Sequence, residues 1–127
     1  MDLQSLFNTV SSHLLTQNAK SVDPDIDSGG SEACAYRGAN GTMCAAGVLI
    51  PNEAYTFDME GSAAMAVFNE YSKVLPKDIW NWPNIKLIGD LQCVHDNWDP
   101  AHWPERLAKV AKEHDLNFEP QGTNHQP

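Results

Sequence analysis

The dipeptide Asn40-Gly41, set between strand-like runs at residues 33–38 and 42–50, is the signal that most constrains this chain. A two-residue type I′ turn needs φ > 0 at both central positions, and Asn-Gly supplies that at little cost. The pattern predicts a β-hairpin in which Arg37 faces Cys44 and Tyr36 faces Ala45. A lone hairpin is marginal in water, so helices must cover one of its faces. The sequence offers them. Leu3, Leu6, Phe7, Val10 and Leu14 recur at helical spacing, which predicts a first amphipathic helix over 3–18, capped by Asp2. His13 lies at the margin of that stripe. A second helix is predicted over 62–75 and is stopped by Pro76. A third is predicted over 85–97, with Ile88, Leu91 and Val94 on its apolar face. A fourth starts at Pro100 or Pro104 and carries Leu107, Val110 and Ala111. Residues 79–84 read as irregular and aromatic, with room for a further short strand. The predicted fold class is α+β: about four helices packed on one β-hairpin, in a single small domain over 1–118. Residues 119–127 are polar and read as a flexible C-terminal tail.

Composition narrows the function classes. The 127 residues suffice for one core. No apolar run approaches the roughly 18–20 residues of a membrane span, and the start lacks the basic region of a signal peptide. Eight Lys+Arg against 17 Asp+Glu give a net charge of −9. That argues against sequence-independent binding of duplex DNA, which relies on neutralising phosphates. The three cysteines form no Cys-x-x-Cys pair and read as thiols, with neither a zinc ribbon nor a thioredoxin-type site. A type I′ turn puts Cys34 and Cys44 on opposite faces; a three-residue loop over 38–40 would put them opposite one another, within disulfide reach. Asp23, Asp25 and Asp27 match the first positions of a calcium loop. Ser28 and Cys34 break the match, so residues 21–32 read as a solvated acidic loop.

No Walker loop, Gly-x-Ser-x-Gly or His-Glu-x-x-His motif is present, and no catalytic, metal or cofactor set is assigned. Cys93 and His95 diverge by about 200° on a helix, so they form no dyad by themselves. Trp80, Trp82, Trp98 and Trp103 read either as core or as a stacking wall. The polar residues with binding chemistry collect on the hairpin and third helix. Tyr36, Arg37, Glu53, Tyr55, Glu60, Gln92 and His95 are the candidate ligand-binding set, since a pocket needs a few convergent polar groups on an apolar wall. His95 is expected to be half-buried, poised between a structural and a site role. Arg37 is read as a site residue because a cation on a short hairpin has no evident structural need. A small hydrolase using His95 as base, with Glu53, Glu60 or Asp96 assisting, is an alternative.

The strings Cys34-Ala35-Tyr36-Arg37-Gly38, Gly41-Thr42-Met43-Cys44-Ala45-Ala46-Gly47, Leu49-Ile50-Pro51-Asn52-Glu53, Tyr55 and Met59-Glu60-Gly61 carry a resemblance. With Leu91-Gln92 and His95-Asp96, they resemble a family of small uncharacterised phage and prophage proteins. Asn52 departs from the pattern, where Asp precedes the Glu. The resemblance implies a phage-type accessory protein acting in the host cytoplasm against antiviral defence. It suggests a non-enzymatic binder that sequesters a nucleotide-derived immune signal. The alternative partner is a basic surface of a host defence protein, which suits the charge of −9. Self-association is compatible with either.

Overall fold

The computed structural model describes residues 1–23 and 33–118. Most of the acidic loop, with its calcium-like positions Asp25 and Asp27, and the whole expected tail lie outside the described residues. Four helices form the body: α1 (Leu3–Gln17), α2 (Ala64–Tyr71), α3 (Trp82–Asn97) and α4 (Trp103–Glu113). Among the described residues, no helix is long and apolar enough to cross a membrane.

Helix α1 forms where its stripe predicts. The Asp2 carboxylate accepts from the Ser5 N–H at 2.7 Å, and Asn18 ends the helix in the left-handed region at φ 49°. Its Leu6, Phe7, Val10 and Leu14 are fully buried. Helix α3 is the central element and packs against α1, α2 and α4. It begins earlier than the periodicity predicts, at Trp82. The Asn81 side chain accepts from the Asn84 N–H at 3.1 Å, and Pro83 fits a first turn that needs no N–H. That cap converts the last three residues of the expected irregular segment into helix. Helix α2 is shorter than predicted at both ends: it starts at Ala64, after Gly61 turns the chain at φ 81°, and it ends at Tyr71, whose carbonyl accepts from both the Val74 and Leu75 N–H groups in a closing turn. A single 3₁₀ turn at Pro100–His102 leads into α4, so the two prolines open two consecutive turns.

The predicted hairpin is absent, and the fold is mostly helical rather than α+β. Among the described residues, strand pairing is confined to β1 (Val22–Asp23) and β2 (Ala33–Cys34), two residues each. Asn40 and Gly41 do adopt positive φ, at 61° and 74°, and the Gly38 N–H reaches the Thr42 carbonyl at 2.9 Å. The ladder stops there because side chains claim the backbone groups it would use. Glu60 accepts the N–H groups of Tyr36 and Arg37. Gln17 accepts the Met43 N–H, and Gln92 accepts the Ala46 N–H. The expected pairs Arg37–Cys44 and Tyr36–Ala45 therefore do not form. Residues 35–62 instead make a long, internally braced loop, with 3₁₀ turns at Gly47–Leu49 and Phe57–Met59. Among the described residues there is no disulfide.

The loop is seated at a close approach of two backbone segments. A Cβ on Gly47 would lie 2.3 Å from the Tyr36 carbonyl oxygen, so only glycine allows that contact. Trp80 anchors the same region from below: it is buried and donates from Nε1 to the Leu49 carbonyl at 3.0 Å. Trp103 is also core and donates to the Trp98 carbonyl. The four tryptophans thus make no common wall. Trp82 is 66% exposed, edge-on to Phe68, and Trp98 lies under the Arg106 guanidinium at 3.5 Å.

Candidate functional site

The residues singled out from the sequence separate into two constellations and one outlier. The first is a clasp around Glu60. Its carboxylate accepts from the Tyr36 N–H at 2.8 Å, the Arg37 N–H at 3.0 Å and the Tyr55 hydroxyl at 2.6 Å. The Arg37 guanidinium turns the other way. It donates to the Gly47 carbonyl at 2.6 Å, the Ile50 carbonyl at 2.7 Å and the Asn52 side chain at 3.1 Å, and lies over the Tyr55 ring. The structural need for a cation at Arg37, invisible in the sequence, is this pair of loop carbonyls. Burial raises both the Tyr36 and Tyr55 phenols above their ordinary range, and the Glu60 carboxylate adds to this at Tyr55. Glu53 stands apart, exposed, with no hydrogen bond to the described residues.

The second constellation is centred on His95, which is fully buried rather than half-buried. Its Nε2 accepts from the Ser21 N–H at 2.9 Å, and its ring stacks obliquely on Trp103. The ring proton is therefore on Nδ1, which donates to Asp96 Oδ1 at 2.8 Å. Gln92 donates to the same oxygen at 2.8 Å while its own carbonyl accepts from Ala46. Cys34 Sγ joins this group, and one ligand atom each of Cys34, His95 and Asp96 lie within 4.8 Å of one another. These are zinc-type donors. The imidazole does not fit a metal, however. A cation on Nδ1 would force the proton to Nε2, where it would face the Ser21 N–H. A cation on Nε2 would strip that N–H of its acceptor inside the core.

Between the two constellations lies a groove of about 510 Å³. One wall is the chain from Cys34 to Tyr36 with the start of α2, and the other is α3. Apolar surface from Ala35, Ala64, Met65 and Ile85 dominates it. Tyr36 and Gln92 are the two expected site residues on its lining. His95 lies behind that lining and supports Asp96, which does reach it. All three cysteines line the groove as well. Burial pushes the Cys44 thiol up to about 12, and its sulfur accepts from the Gly47 N–H, so it is inert. Lys86, on the α3 wall, is held by both oxygens of Asp90 at 2.7 and 2.9 Å, and Asp90 also bonds His114, the residue that follows α4.

Lys86, Gly89 and Cys93 were not in the expected ligand-binding set, and Asp96 was named only as an assisting group in the hydrolase alternative and in the His95-Asp96 pair. The four recur three, seven and ten residues apart, a second helical face beside the apolar stripe of α3. That spacing is the one signal in the sequence that could have found them. A Cβ at Gly89 would meet nothing within 4 Å, so this position opens directly onto free space. Compared with known protein families, curated proteins and solved structures, the chain matches none.

Proposed function

We propose that the protein is a non-enzymatic binder that holds a small nucleotide-like ligand in the groove between residues 34–36 and α3. The single observation behind this reading is the groove: about 510 Å³, a mostly apolar wall and a polar edge of Gln92 and Asp96. Pockets for small molecules have this size and make-up. The groups a hydrolase would need are already engaged, which favours binding over turnover. Both His95 nitrogens are hydrogen-bonded, and Glu60 already accepts three bonds. The setting, sequestration of an immune signal in a phage-infected host, comes from the sequence resemblance. The net charge of −9 favours a second reading, capture of a basic host protein surface.

The test is retention. Purified protein is mixed with cyclic dinucleotides and ADP-ribose-type compounds, separated from unbound ligand, and heat-denatured. A retained compound that returns chemically intact, and is not retained by a Gly89→Leu variant, is the expected result. Retention of none of them, alongside capture of a host protein that Gly89→Leu leaves unchanged, favours the second reading. Release of a cleaved product overturns the non-enzymatic assignment.

A further inference from the structure

The charges that face the groove restrict what it can hold, and this inference rests on the groove being the binding site. The cation on its lining, Lys86, is already bonded to both oxygens of Asp90. Arg37 is turned toward the Gly47 and Ile50 carbonyls. Asp90 is balanced by Lys86 and further bonded by His114. Among the described residues no Lys or Arg pairs with the Asp96 carboxylate; the Lys20 ammonium donates instead to the Asp96 backbone carbonyl at 3.1 Å. The carboxylate Oδ1 accepts from two neutral donors, the Gln92 amide and the Nδ1–H of a ring whose other nitrogen is an acceptor. The side chain is 35% exposed, and these two donors fill only two of the roughly four acceptor positions of a carboxylate. The groove therefore presents a fixed, oriented carboxylate with spare acceptor capacity, and among the described residues the one Lys or Arg on its lining is already paired with Asp90.

We infer that the groove takes the uncharged, donor-bearing end of its ligand, a ribose diol or base amino edge, with Asp96 as acceptor. Phosphates stay outside. The ring rests on the apolar wall of Ala35, Met65 and Ile85. A carboxylate accepting ribose hydroxyls is a recurring solution in nucleotide-binding sites, where it reads the sugar and not the phosphate. The Gln92 and His95 donors on Oδ1 fix the carboxylate's orientation, and its spare acceptor positions serve the ligand.

Calorimetry with matched pairs tests this. Each of the four common ribonucleosides is titrated against its 5′-monophosphate and its 2′- and 3′-deoxy forms. The wild-type protein is compared with Asp96→Asn and Gly89→Leu. The expected result is a nucleoside that binds at least as well as its monophosphate and about tenfold better than a deoxy form. Asp96→Asn keeps the Oδ1 acceptor; it should weaken the nucleoside about tenfold and narrow or reverse its advantage over the monophosphate. Gly89→Leu should abolish binding of all of them. If no compound binds, or Gly89→Leu changes nothing, the groove assignment fails and takes this inference with it. If Gly89→Leu abolishes binding but the monophosphate binds tighter than the nucleoside, the groove stands and the inference is overturned. The nucleoside–monophosphate comparison needs no variant, so it decides even if Asp96→Asn folds poorly.

Discussion

Replacing Glu60 with alanine tests whether the clasp organises the loop of residues 35–62. Three donors lose their acceptor: the backbone N–H groups of Tyr36 and Arg37 and the Tyr55 hydroxyl. A hydrogen bond to a charged acceptor contributes about 1.5–3 kcal/mol, and a buried donor left without a partner costs a similar amount. Glu60 is half-buried, so water can reach part of the site, and the lower end applies to each backbone bond. The exposed side of Tyr55 limits its share to about 1 kcal/mol. Together the loss comes to about 4 kcal/mol, which for a domain of this size lowers Tm by roughly 10–20 °C. Tyr55→Phe removes only the hydroxyl and should cost about 1 kcal/mol. Urea and thermal melts followed by tryptophan fluorescence measure both, since Trp80 lies beneath the same loop. A Glu60→Ala loss below about 1 kcal/mol, or a Tyr55→Phe loss equal to it, would refute the argument.

Two glycines should respond in opposite directions to alanine. Gly47→Ala drives a Cβ to 2.3 Å from the Tyr36 carbonyl and should cost about 3 kcal/mol or more, whereas Gly89→Ala meets nothing and should stabilise α3 by about 1 kcal/mol. His95→Gln should lose about 2 kcal/mol or more, because it disturbs two hydrogen bonds and the Trp103 contact in the core; a melt matching wild type would show that the buried network is dispensable. Burial alone would raise the Asp90 carboxyl, but the bonds from Lys86 and His114 hold it below its ordinary value. Its contribution is therefore present above the unfolded aspartate value of about 3.9 and disappears as pH falls through the folded value. Acid titration of stability should be steeper for wild type than for Asp90→Asn, and parallel curves would contradict the assignment.

How much was legible depends on how local each cause is. The α1 stripe and its Asp2 cap are encoded within a few residues of one another, and α1 forms as its pattern predicts. The start of α3 was also written locally, in Asn81 and Pro83, but the neighbouring tryptophans disguised it. The hairpin reading failed for a non-local reason. Asn40-Gly41 makes its turn, yet Glu60, Gln17 and Gln92 take the backbone groups that strands would have shared. The polar candidates divided on the same ground. Tyr36 and Gln92 line the groove, whereas Arg37, Tyr55 and Glu60 brace the loop and His95 is sealed behind Asp96. Nothing in the spacing of these residues distinguishes a side chain that braces a loop from one that faces a ligand.

The most direct test of the groove is an amide NMR titration of the whole chain with the four ribonucleosides. Binding there should shift the resonances of Ala35, Met65, Gly89 and Gln92, all on its lining, and leave the Trp98 indole and the outer face of α1 unmoved. No shifts at saturating nucleoside, or shifts confined to Trp98 and the outer face of α1, would contradict the account.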